Sequence, residues 1–354
     1  MSSPQILPPG STIGILGGGQ LGRMTALAAA RLGYQCIVYA PDEESIAGQI
    51  ATLYVQGDYD DMLALEWFAE RVDVITYEFE NVPEATVAAC EKLKPVRPGI
   101  KPIHFAQHRI REKDFLRKSG IGTADYQPIS SEEDIEKATA LPGILKTCTE
   151  GYDGKGQARV ATKDGIRAAW RKFGKRACIL EALVDFQCEV SAIVARSVDG
   201  TTRCFPIGRN EHRDGILRTT HVPSGLDAAV LEKAEAFGIR LAESLDLVGL
   251  VALEMFVTRD GRVLANEMAP RPHNSGHWTM DACATSQFEQ LVRAICGLPL
   301  GSVEVMAPSR MENLIGEDAN DWQKYLADPK ARLHLYGKSS VRAGRKMGHV
   351  NFVG

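Results

Sequence analysis

The sequence lacks the features that mark several classes of protein. It has only eight cysteines in 354 residues, with no Cys-x-x-Cys pair and no histidine at zinc-finger spacing. This argues against a zinc site and favours reduced, mostly buried thiols. No apolar run is long enough to cross a membrane, and the first residues lack a signal-peptide core. A net charge of -4 argues against a basic surface for nucleic acid. We therefore expect a cytoplasmic protein that binds neither membranes nor nucleic acids.

The remaining composition is that of an ordinary globular protein, and the chain is long for a single core. The hydrophobic content is 44% and the charged content is 24%, both typical of soluble domains. A chain of 354 residues usually folds as two or three domains. The Pro-dense stretch 94–102 is the best boundary, because domain boundaries fall in segments of this composition.

The order of strands and helices changes at this boundary. Before it, strands at 12–17, 35–39, 52–55 and 73–77 alternate with helices at 20–32 and 60–71. The first strand is a continuous apolar run, so we predict a small doubly wound α/β unit with a parallel sheet. After the boundary, the pattern predicts an α+β unit with helices at 108–119 and 227–245 and strands at 143–146, 158–160, 178–181, 189–196 and 202–207.

The turn after the first strand carries a fingerprint with two interpretations. Gly17, Gly19 and Gly22 satisfy GxGxxG, and Asp42 lies at the end of the next strand, as in dinucleotide-binding domains. A nicotinamide-dependent oxidoreductase is therefore one candidate. The physical chemistry supports only the weaker claim that N–H groups at this helix N-terminus can hold a phosphate.

The most informative pattern is a predicted hairpin with two glutamates. Two apolar runs flank Asp260-Gly261, and Asp-Gly between such runs is a strong hairpin signal. If Asp260-Gly261 is a two-residue type I′ loop, Glu254 and Glu267 lie directly opposite each other, where like charges repel. A divalent cation such as Mg²⁺ between them would remove that cost. The alternative is a pair of solvated carboxylates, but the following segment 268–278 is rich in Arg, His and Asn and favours a site.

A second glycine-rich segment, 150–157, lies between two predicted strands. It is not a Walker A loop, but a flexible glycine hairpin can fold over phosphates and donate N–H groups, with Lys155 adding charge. An ordinary β-turn loop is the alternative. Lys146 ends an apolar strand, where lysine is rare without a partner, and a triphosphate would supply that partner. This loop, Lys146 and the glutamate pair indicate a nucleoside triphosphate rather than a dinucleotide.

Segments 150–157, 212–218 and 266–278 together resemble the N5-carboxyaminoimidazole ribonucleotide synthase family of ATP-grasp enzymes. Segments 15–24, 77–83 and 341–349 fit the same family, so the resemblance covers nearly the whole chain in the right order. The motif NEMAPRPHNSGHW in 266–278 is close to diagnostic, whereas the N-terminal glycines are shared with many folds. The family usually continues with a further helical segment, whereas this sequence ends at Gly354.

The resemblance implies an ATP-grasp fold that combines α/β and α+β units. Its expected parts are an N-terminal doubly wound, Rossmann-like pre-ATP-grasp domain at 1–100, an ATP-grasp domain at 101–300 with a central lid at about 146–182, and a small C-terminal substrate-binding segment at 301–354.

The implied activity is that of an ATP-dependent ligase that forms a C–N bond in de novo purine biosynthesis. Bicarbonate and ATP would give carboxyphosphate, which carboxylates 5-aminoimidazole ribonucleotide to N5-carboxyaminoimidazole ribonucleotide, with release of ADP and phosphate. ATP and Mg²⁺, or Mn²⁺ in its place, are the expected cofactors, and a homodimer is the expected assembly. Another ATP-grasp carboxylase or formyltransferase is the nearer alternative, and a nicotinamide-dependent oxidoreductase or an inactive nucleotide-binding scaffold the more distant one.

Carried over by position, the resemblance assigns most of the ATP site. The residues that would contact the nucleotide are Arg109, Lys146, Glu181, Ala182, Leu183, Val184, Glu189, His212 and Asn266, and those that would close over its phosphates are Gly151, Tyr152, Asp153, Gly154, Lys155, Gly156 and Gln157. Glu181 would lie at the adenine edge, Glu189 would accept the ribose hydroxyls, and Glu254 with Glu267 would hold the metal. Alternatively, Arg109 lies on a solvated helix face, Glu189 points outward from a strand, and His212 belongs to an ordinary turn.

The other two substrates need groups that bind anions. Arg271 can bind carboxyphosphate bidentately while His273 and Asn274 donate further hydrogen bonds. Tyr152 and Asp153 would face the amine that is carboxylated. The residues expected to bind the ribonucleotide and its 5′-phosphate are Gly19, Gln20, Leu21, Glu78, Arg342, Arg345 and Lys346. For the last three, a solvated C-terminal turn is the alternative.

Overall fold

The computed structural model of the chain describes residues 6–149 and 156–354. Its first sheet is parallel, has four strands in the order β3-β2-β1-β4, and confirms the predicted doubly wound unit. The elements are β1 (Thr12–Leu16), α1 (Gln20–Arg31), β2 (Gln35–Ala40), β3 (Leu53–Gln56), α2 (Met62–Glu70), β4 (Val74–Tyr77) and α3 (Glu84–Glu91). Because side chains alternate along β1, Ile13 and Ile15 pack on the α1 side, whereas Leu16 packs with Phe68 of α2.

The second sheet is antiparallel and has four strands in the order β5-β8-β6-β7. It follows α4 (Ile100–Ala106) and α5 (Arg109–Lys118), and consists of β5 (Tyr126–Ile129), β6 (Gly143–Thr147), β7 (Gln157–Val160) and β8 (Cys178–Ala182), with α6 (Glu132–Glu136) and α7 (Lys163–Lys172). Most of the glycine-rich segment between β6 and β7, residues 150–155, lies outside the described residues.

The third sheet has nine strands and includes the C-terminal segment. Its order is β14-β13-β9-β11-β12-β15-β17-β16, with β10 paired to β9. The elements are β9 (Phe186–Arg196), β10 (Thr202–Cys204), β11 (Gly208–Arg213), β12 (Ile216–Val222), α8 (Ala228–Ser244), β13 (Gly249–Thr258), β14 (Val263–Ala269), α9 (Thr279–Ala282), α10 (Gln287–Ile295), β15 (Ser309–Ile315), α11 (Trp322–Ala327), β16 (Ala331–Leu335) and β17 (Lys346–Val353). The C-terminal strands therefore extend the same sheet, through the pairing of β12 with β15.

The hairpin of β13 and β14 confirms one prediction and corrects another. Glu254 and Glu267 are paired across the two strands, as expected. The predicted two-residue turn is wrong: Thr258 N donates to Arg262 O at 2.9 Å, which leaves a three-residue loop that ends on Gly261 with φ +81°. Such a loop pairs Met255 with Ala265. A β-bulge then adds one residue, Asn266, on β14 and brings Glu267 opposite Glu254.

Among the described residues, no helix is both long and apolar enough to span a membrane. All eight cysteines lie in the described part of the chain, and each is a free thiol.

Candidate active site

Two cavities meet beside the glutamate hairpin. The larger, of about 710 Å³, extends between the second and third sheets, and the smaller, of about 410 Å³, lies beside the glycine turn of β1 and α1. The residues that line both cavities are Glu80, Asn81, Arg271, His273, Asn274 and Lys346. We call this set the junction. It contains the three residues that the sequence assigned to carboxyphosphate, and it joins a space large enough for a nucleotide to a second pocket.

The larger cavity brings together eight of the thirteen predicted nucleotide and metal residues that the structure describes. Those that line it are Arg109, Lys146, Gln157, Glu189, His212, Glu254, Asn266 and Glu267. Five predicted residues, Gly156, Glu181, Ala182, Leu183 and Val184, are not in the described lining. The predicted residues Gly151, Tyr152, Asp153, Gly154 and Lys155 lie outside the described residues.

Glu254 is an ionised carboxylate within this cavity. Its Oε1 lies 2.8 Å from Nε2 of His273, whose Nδ1 lies 2.7 Å from the hydroxyl of Ser275. Burial raises the pKa of Glu254, but His273, His212 and Arg271 outweigh it and bring the pKa to about 2. The carboxylate is therefore charged at neutral pH, as a metal ligand must be.

Glu267 is hydrogen-bonded to Arg109, the first residue of α5. Nη1 of Arg109 donates to Oε2 of Glu267 at 3.1 Å, and the Arg109 side chain is only 17% exposed. The alternative of a solvated helix face is therefore wrong for Arg109. His212 and Glu189 likewise contact each other through Nδ1 and Oε2 and face the cavity, rather than standing alone on a strand and in a turn.

The hairpin offers a set of oxygen atoms that suits a hard divalent cation. Among the described residues there is no group of three or more His, Cys, Asp or Glu side chains placed to bind a metal. Besides Glu254 and Glu267, however, the bulge residue Asn266 contributes Oδ1, a buried acceptor with no hydrogen-bond partner. An unpartnered buried oxygen is costly, and a bound ion would remove that cost. The residues present therefore fit a cation such as Mg²⁺.

Glu181 does not face the cavity as predicted, because two lysines hold its side chain. Lys113 Nζ lies 3.2 Å from one carboxylate oxygen and Lys146 Nζ lies 3.1 Å from the other. Burial raises the pKa of Glu181, but the two ammonium groups outweigh it and bring the pKa to about 2. The partner of Lys146 in this structure is therefore a carboxylate, although the sequence pointed to a triphosphate.

Sequence reasoning missed Lys113 and Glu112. Lys113 is 1% exposed and also donates to the carbonyl oxygen of the bulge residue Asn266 at 2.6 Å, so it connects the second sheet to the β13–β14 hairpin. Glu112 accepts a hydrogen bond from Met268 N at 2.6 Å, and burial together with Glu267 raises its pKa to about 8. Both lie three or four residues before the buried Leu116, a helical spacing that could have placed them on the inner face of α5.

The smaller cavity contains part of the predicted ribonucleotide site. Gln20, Leu21, Glu78 and Lys346 line it, together with Tyr336 and His277, which sequence reasoning had not selected. Gly19, Arg342 and Arg345 are not in the described lining. Arg345 instead donates to the carbonyl and hydroxyl oxygens of Ser340 at 2.9 and 2.8 Å.

We expected the N–H groups of the glycine turn at 17–22 to be available to a phosphate, and the structure contradicts this. The carboxylate of Glu78 accepts from Gly19 N and, at 2.7 Å, from Gly22 N. Glu78 directly follows β4, and β4 pairs with β1, so this carboxylate lies beside the turn that follows β1. A Cβ on Gly19 would lie 2.5 Å from a Glu78 oxygen, so a larger residue there would displace the Glu78 carboxylate. The anion site at this helix N-terminus is thus filled by the protein itself.

Arg271 also has an unpredicted partner. Its Nε and Nη2 donate to the two carboxylate oxygens of Glu80, the second at 2.9 Å, and its Nη1 donates to Pro272 O at 3.2 Å. The bidentate edge that the sequence assigned to carboxyphosphate is therefore bound to Glu80.

Three family models together cover most of the chain. They are the ribonucleotide synthetase preATP-grasp domain at residues 11–107, the ATP-grasp domain at 114–288 and the phosphoribosylaminoimidazole carboxylase C-terminal domain at 309–354. The order agrees with the predicted N-terminal, central and C-terminal parts, while the predicted boundaries at 100 and 300 stay a prediction.

Relatives and solved structures match over nearly the whole length of the chain. The chain is 48% identical to the N5-carboxyaminoimidazole ribonucleotide synthase of Brucella melitensis, over 97% of this chain and 96% of that protein. The crystal structure of an N5-carboxyaminoimidazole ribonucleotide synthetase in complex with ADP has a TM-score of 0.95 and 43% identity, over 99% of this chain and 94% of the other. The Aspergillus clavatus enzyme in complex with ADP and 5-aminoimidazole ribonucleotide has a TM-score of 0.91 and 30% identity, over 98% and 94%. The chain belongs to the N5-carboxyaminoimidazole ribonucleotide synthase family of ATP-grasp ligases.

Proposed function

We propose that this protein uses ATP and bicarbonate to carboxylate the 5-amino group of 5-aminoimidazole ribonucleotide, with release of ADP and phosphate, in de novo purine biosynthesis. The observation that carries the proposal is the junction, where six residues line both cavities. A carboxyl group that is activated at the triphosphate must reach an amine without escaping into water. Two cavities that share one wall of charged and polar side chains provide such a path.

In the larger cavity, the residues around the hairpin are suited to the triphosphate. Lys146, Arg109 and Gln157 line the side formed by β6, β7 and α5, while Glu189 and His212 line the opposite side. Glu254, Glu267 and Asn266 Oδ1 would hold Mg²⁺, with Mn²⁺ as a substitute. When bound, that cation would neutralise phosphate charge. We assign the glycine-rich segment 151–157 to the phosphates, as the family pattern implies.

At the junction, an oxygen of bicarbonate attacks the γ-phosphorus, and the bond to the bridging oxygen of ADP breaks, which gives carboxyphosphate. Arg271 and His273 border this position with groups that bind anions. The side-chain amide of Asn274 has both its nitrogen and its oxygen buried without a hydrogen-bond partner, so it is suited to a polar ligand. These groups hold the mixed anhydride in place until the amine reacts.

In the smaller cavity, the ribonucleotide would lie between the glycine turn and Lys346. Glu78 is fixed there by Gly19 and Gly22 and presents a carboxylate for hydroxyl groups. The amine attacks the carboxyl carbon, phosphate leaves, and the amine loses a proton. We keep Tyr152 and Asp153 as the residues that face this amine, and Arg342 and Arg345 as further candidates for the 5′-phosphate.

The decisive experiment measures ADP release and product formation with the ribonucleotide and bicarbonate each present or omitted. We expect ribonucleotide-dependent ADP release that yields a product 44 mass units heavier, the mass of CO₂ added in the net reaction, only with bicarbonate. Transfer of a formyl group from formate would instead support the alternative of an ATP-grasp formyltransferase. Reaction with another amine but not with 5-aminoimidazole ribonucleotide would indicate a different ATP-grasp carboxylase.

We also propose that the protein is a cytoplasmic homodimer. The eight free cysteines are consistent with a reducing compartment. Light scattering coupled to size-exclusion chromatography tests the assembly, and a mass of 38.6 kDa across the working concentration range would contradict it.

A further inference from the structure

The ion pair of Glu80 and Arg271 joins two distant parts of the chain. Glu80 follows β4 of the first sheet, Arg271 follows β14 of the third, and 191 residues separate them in sequence. Their side chains are 25% and 17% exposed, so the pair is mostly shielded from solvent. The contact is bidentate, with Nε and Nη2 each donating to a different carboxylate oxygen. This geometry fixes the plane of the guanidinium as well as its position.

Glu80 is itself held in place through its backbone. The side-chain Nε2 of Gln107 donates to the carbonyl oxygens of Glu80 and Val82, both at 2.7 Å. The loop after β4 is therefore tied to the end of α4. A carboxylate on a loop that is fixed by hydrogen bonds can orient a long, flexible arginine side chain. A carboxylate on a mobile loop would instead move together with the arginine.

The pair leaves part of Arg271 available. A guanidinium has five N–H groups, and the bonds to Glu80 and to Pro272 O use three of them. The remaining groups lie on the Nη1 and Nη2 nitrogens, away from the edge that Glu80 occupies. Glu80 thus holds one edge of the guanidinium without covering the rest.

Glu80 is also the only acid among the six junction residues. Placed beside a site for bicarbonate and carboxyphosphate, its charge would weaken anion binding if it had no other effect. A favourable effect of Glu80 on anion binding therefore has to pass through a cation that it holds, and Arg271 is the cation to which it is hydrogen-bonded. Orienting the guanidinium before the anion arrives removes an ordering cost that would otherwise fall on substrate binding.

We propose that Glu80 is a positioning residue for the carboxylation: it grips the Nε–Nη2 edge of Arg271, and the remaining N–H groups bind bicarbonate and then carboxyphosphate. This inference rests on the proposed function, because it names the anion that Arg271 receives.

The test is Glu80→Gln, which keeps the side-chain length but removes the charge and one acceptor. We expect the KM for bicarbonate to rise on the order of tenfold and the KM values for ATP and the ribonucleotide to stay within about twofold. Glu80→Asp, which keeps the charge, should recover part of the loss. Glu84→Gln is the matched control, because Glu84 pairs with Arg111 at 3.3 Å and does not line the described part of either cavity. It should change none of the three constants.

A double variant separates positioning from a general structural effect. In an Arg271→Lys background, Glu80→Gln should cause little further loss, because its effect passes through the arginine. Multiplicative losses would overturn the inference, as would equal rises in all three KM values. A fall in the KM for bicarbonate in Glu80→Gln would mean that Glu80 competes with the anion, and would also overturn it. Wild-type turnover without any requirement for bicarbonate would instead overturn the proposed function, so the two failures are distinguishable.

Discussion

Glu254 faces Glu267 across the β13–β14 hairpin, although Met255 pairs with Ala265 in a register that would place Glu254 opposite Asn266. The extra residue of the bulge, Asn266, shifts the register by one. Its carbonyl oxygen accepts from Lys113, and its side-chain oxygen is buried without a partner. A β-bulge next to a site commonly redirects a side chain. Here it sets two carboxylates and one amide oxygen at the end of the larger cavity.

Glu267→Gln should abolish turnover and leave the fold intact. A neutral amide cannot replace a carboxylate that holds a cation, and the rate should fall on the order of 10²-fold or more. Steady-state ADP release across a Mg²⁺ titration measures this, with Glu232→Gln on the exposed face of α8 as control. Wild-type rates at ordinary Mg²⁺ would contradict the metal assignment.

NAD, NADP and FAD should not bind at micromolar concentration, despite the GxGxxG fingerprint. The N–H groups of Gly19 and Gly22 donate to the carboxyl group of Glu78, so they are not available to a pyrophosphate. Asp42→Ala should therefore leave the activity of the protein unchanged. Isothermal titration of each dinucleotide into wild type and Asp42→Ala checks this. Tight binding of a dinucleotide to the wild type that disappears in Asp42→Ala would support the alternative of a nicotinamide-dependent oxidoreductase.

Lys346→Ala should raise the KM for 5-aminoimidazole ribonucleotide about ten- to a hundredfold, as expected for a lost charge-assisted bond to phosphate. Lys346 lines both cavities, whereas Arg345 is not in their described lining and donates to Ser340. Arg345→Ala should therefore have the smaller effect. Steady-state kinetics with each substrate varied in turn compares them, and a larger effect at Arg345 would restore it as the principal phosphate ligand.

Lys113→Met should destabilise the fold. Breaking a buried ion pair costs roughly 3–5 kcal/mol, less the share that Lys146 compensates by its own bond to Glu181. Urea unfolding gives the free-energy change. In a triple variant with Glu181→Leu and Lys146→Met, much of the lost stability should be recovered, because neither Glu181 nor Lys146 then remains as a buried charge without a partner. An undiminished loss in the triple variant would show that packing, rather than charge, explains the effect.

Stability should fall as the pH drops below about 6.5, the ordinary histidine pKa. His349 is fully buried, and its Nδ1 is hydrogen-bonded to the hydroxyl of Tyr336 at 2.9 Å. Its ring stacks on that of His334, with the ring centroids 4.5 Å apart. Burial, followed by His277 and His334, lowers the pKa of His349 well below the ordinary value. The unfolded chain therefore binds more protons in this range, and acid favours it.

Urea midpoints measured between pH 5 and pH 8 test this. His349→Gln should make the midpoint depend less steeply on pH, whatever the substitution does to stability at pH 8. Burial also lowers the pKa of His277, so part of the pH dependence of stability should remain in the His349→Gln variant. An identical slope in wild type and His349→Gln would exclude His349 as the source.

The sequence by itself determined the elements whose signal is local. Apolar periodicity gave the parallel N-terminal sheet, and Asp260-Gly261 gave a hairpin that pairs Glu254 with Glu267. Even there, the turn differs from the prediction, because a three-residue loop and a bulge together give the same pairing as a two-residue loop. Motif resemblance also selected 15 of the 34 described residues that line the two cavities.

Only the tertiary structure decided which polar and charged groups meet. Glu80 with Arg271, Glu78 with Gly19, and Lys113 with Glu181 are each far apart in sequence. A periodic pattern indicates which face of an element is buried, but it carries no information on which distant element packs there. Buried charges need partners, so these contacts form wherever packing excludes water. That is why the sequence revealed the residues of the site but not the side chains that hold them in place.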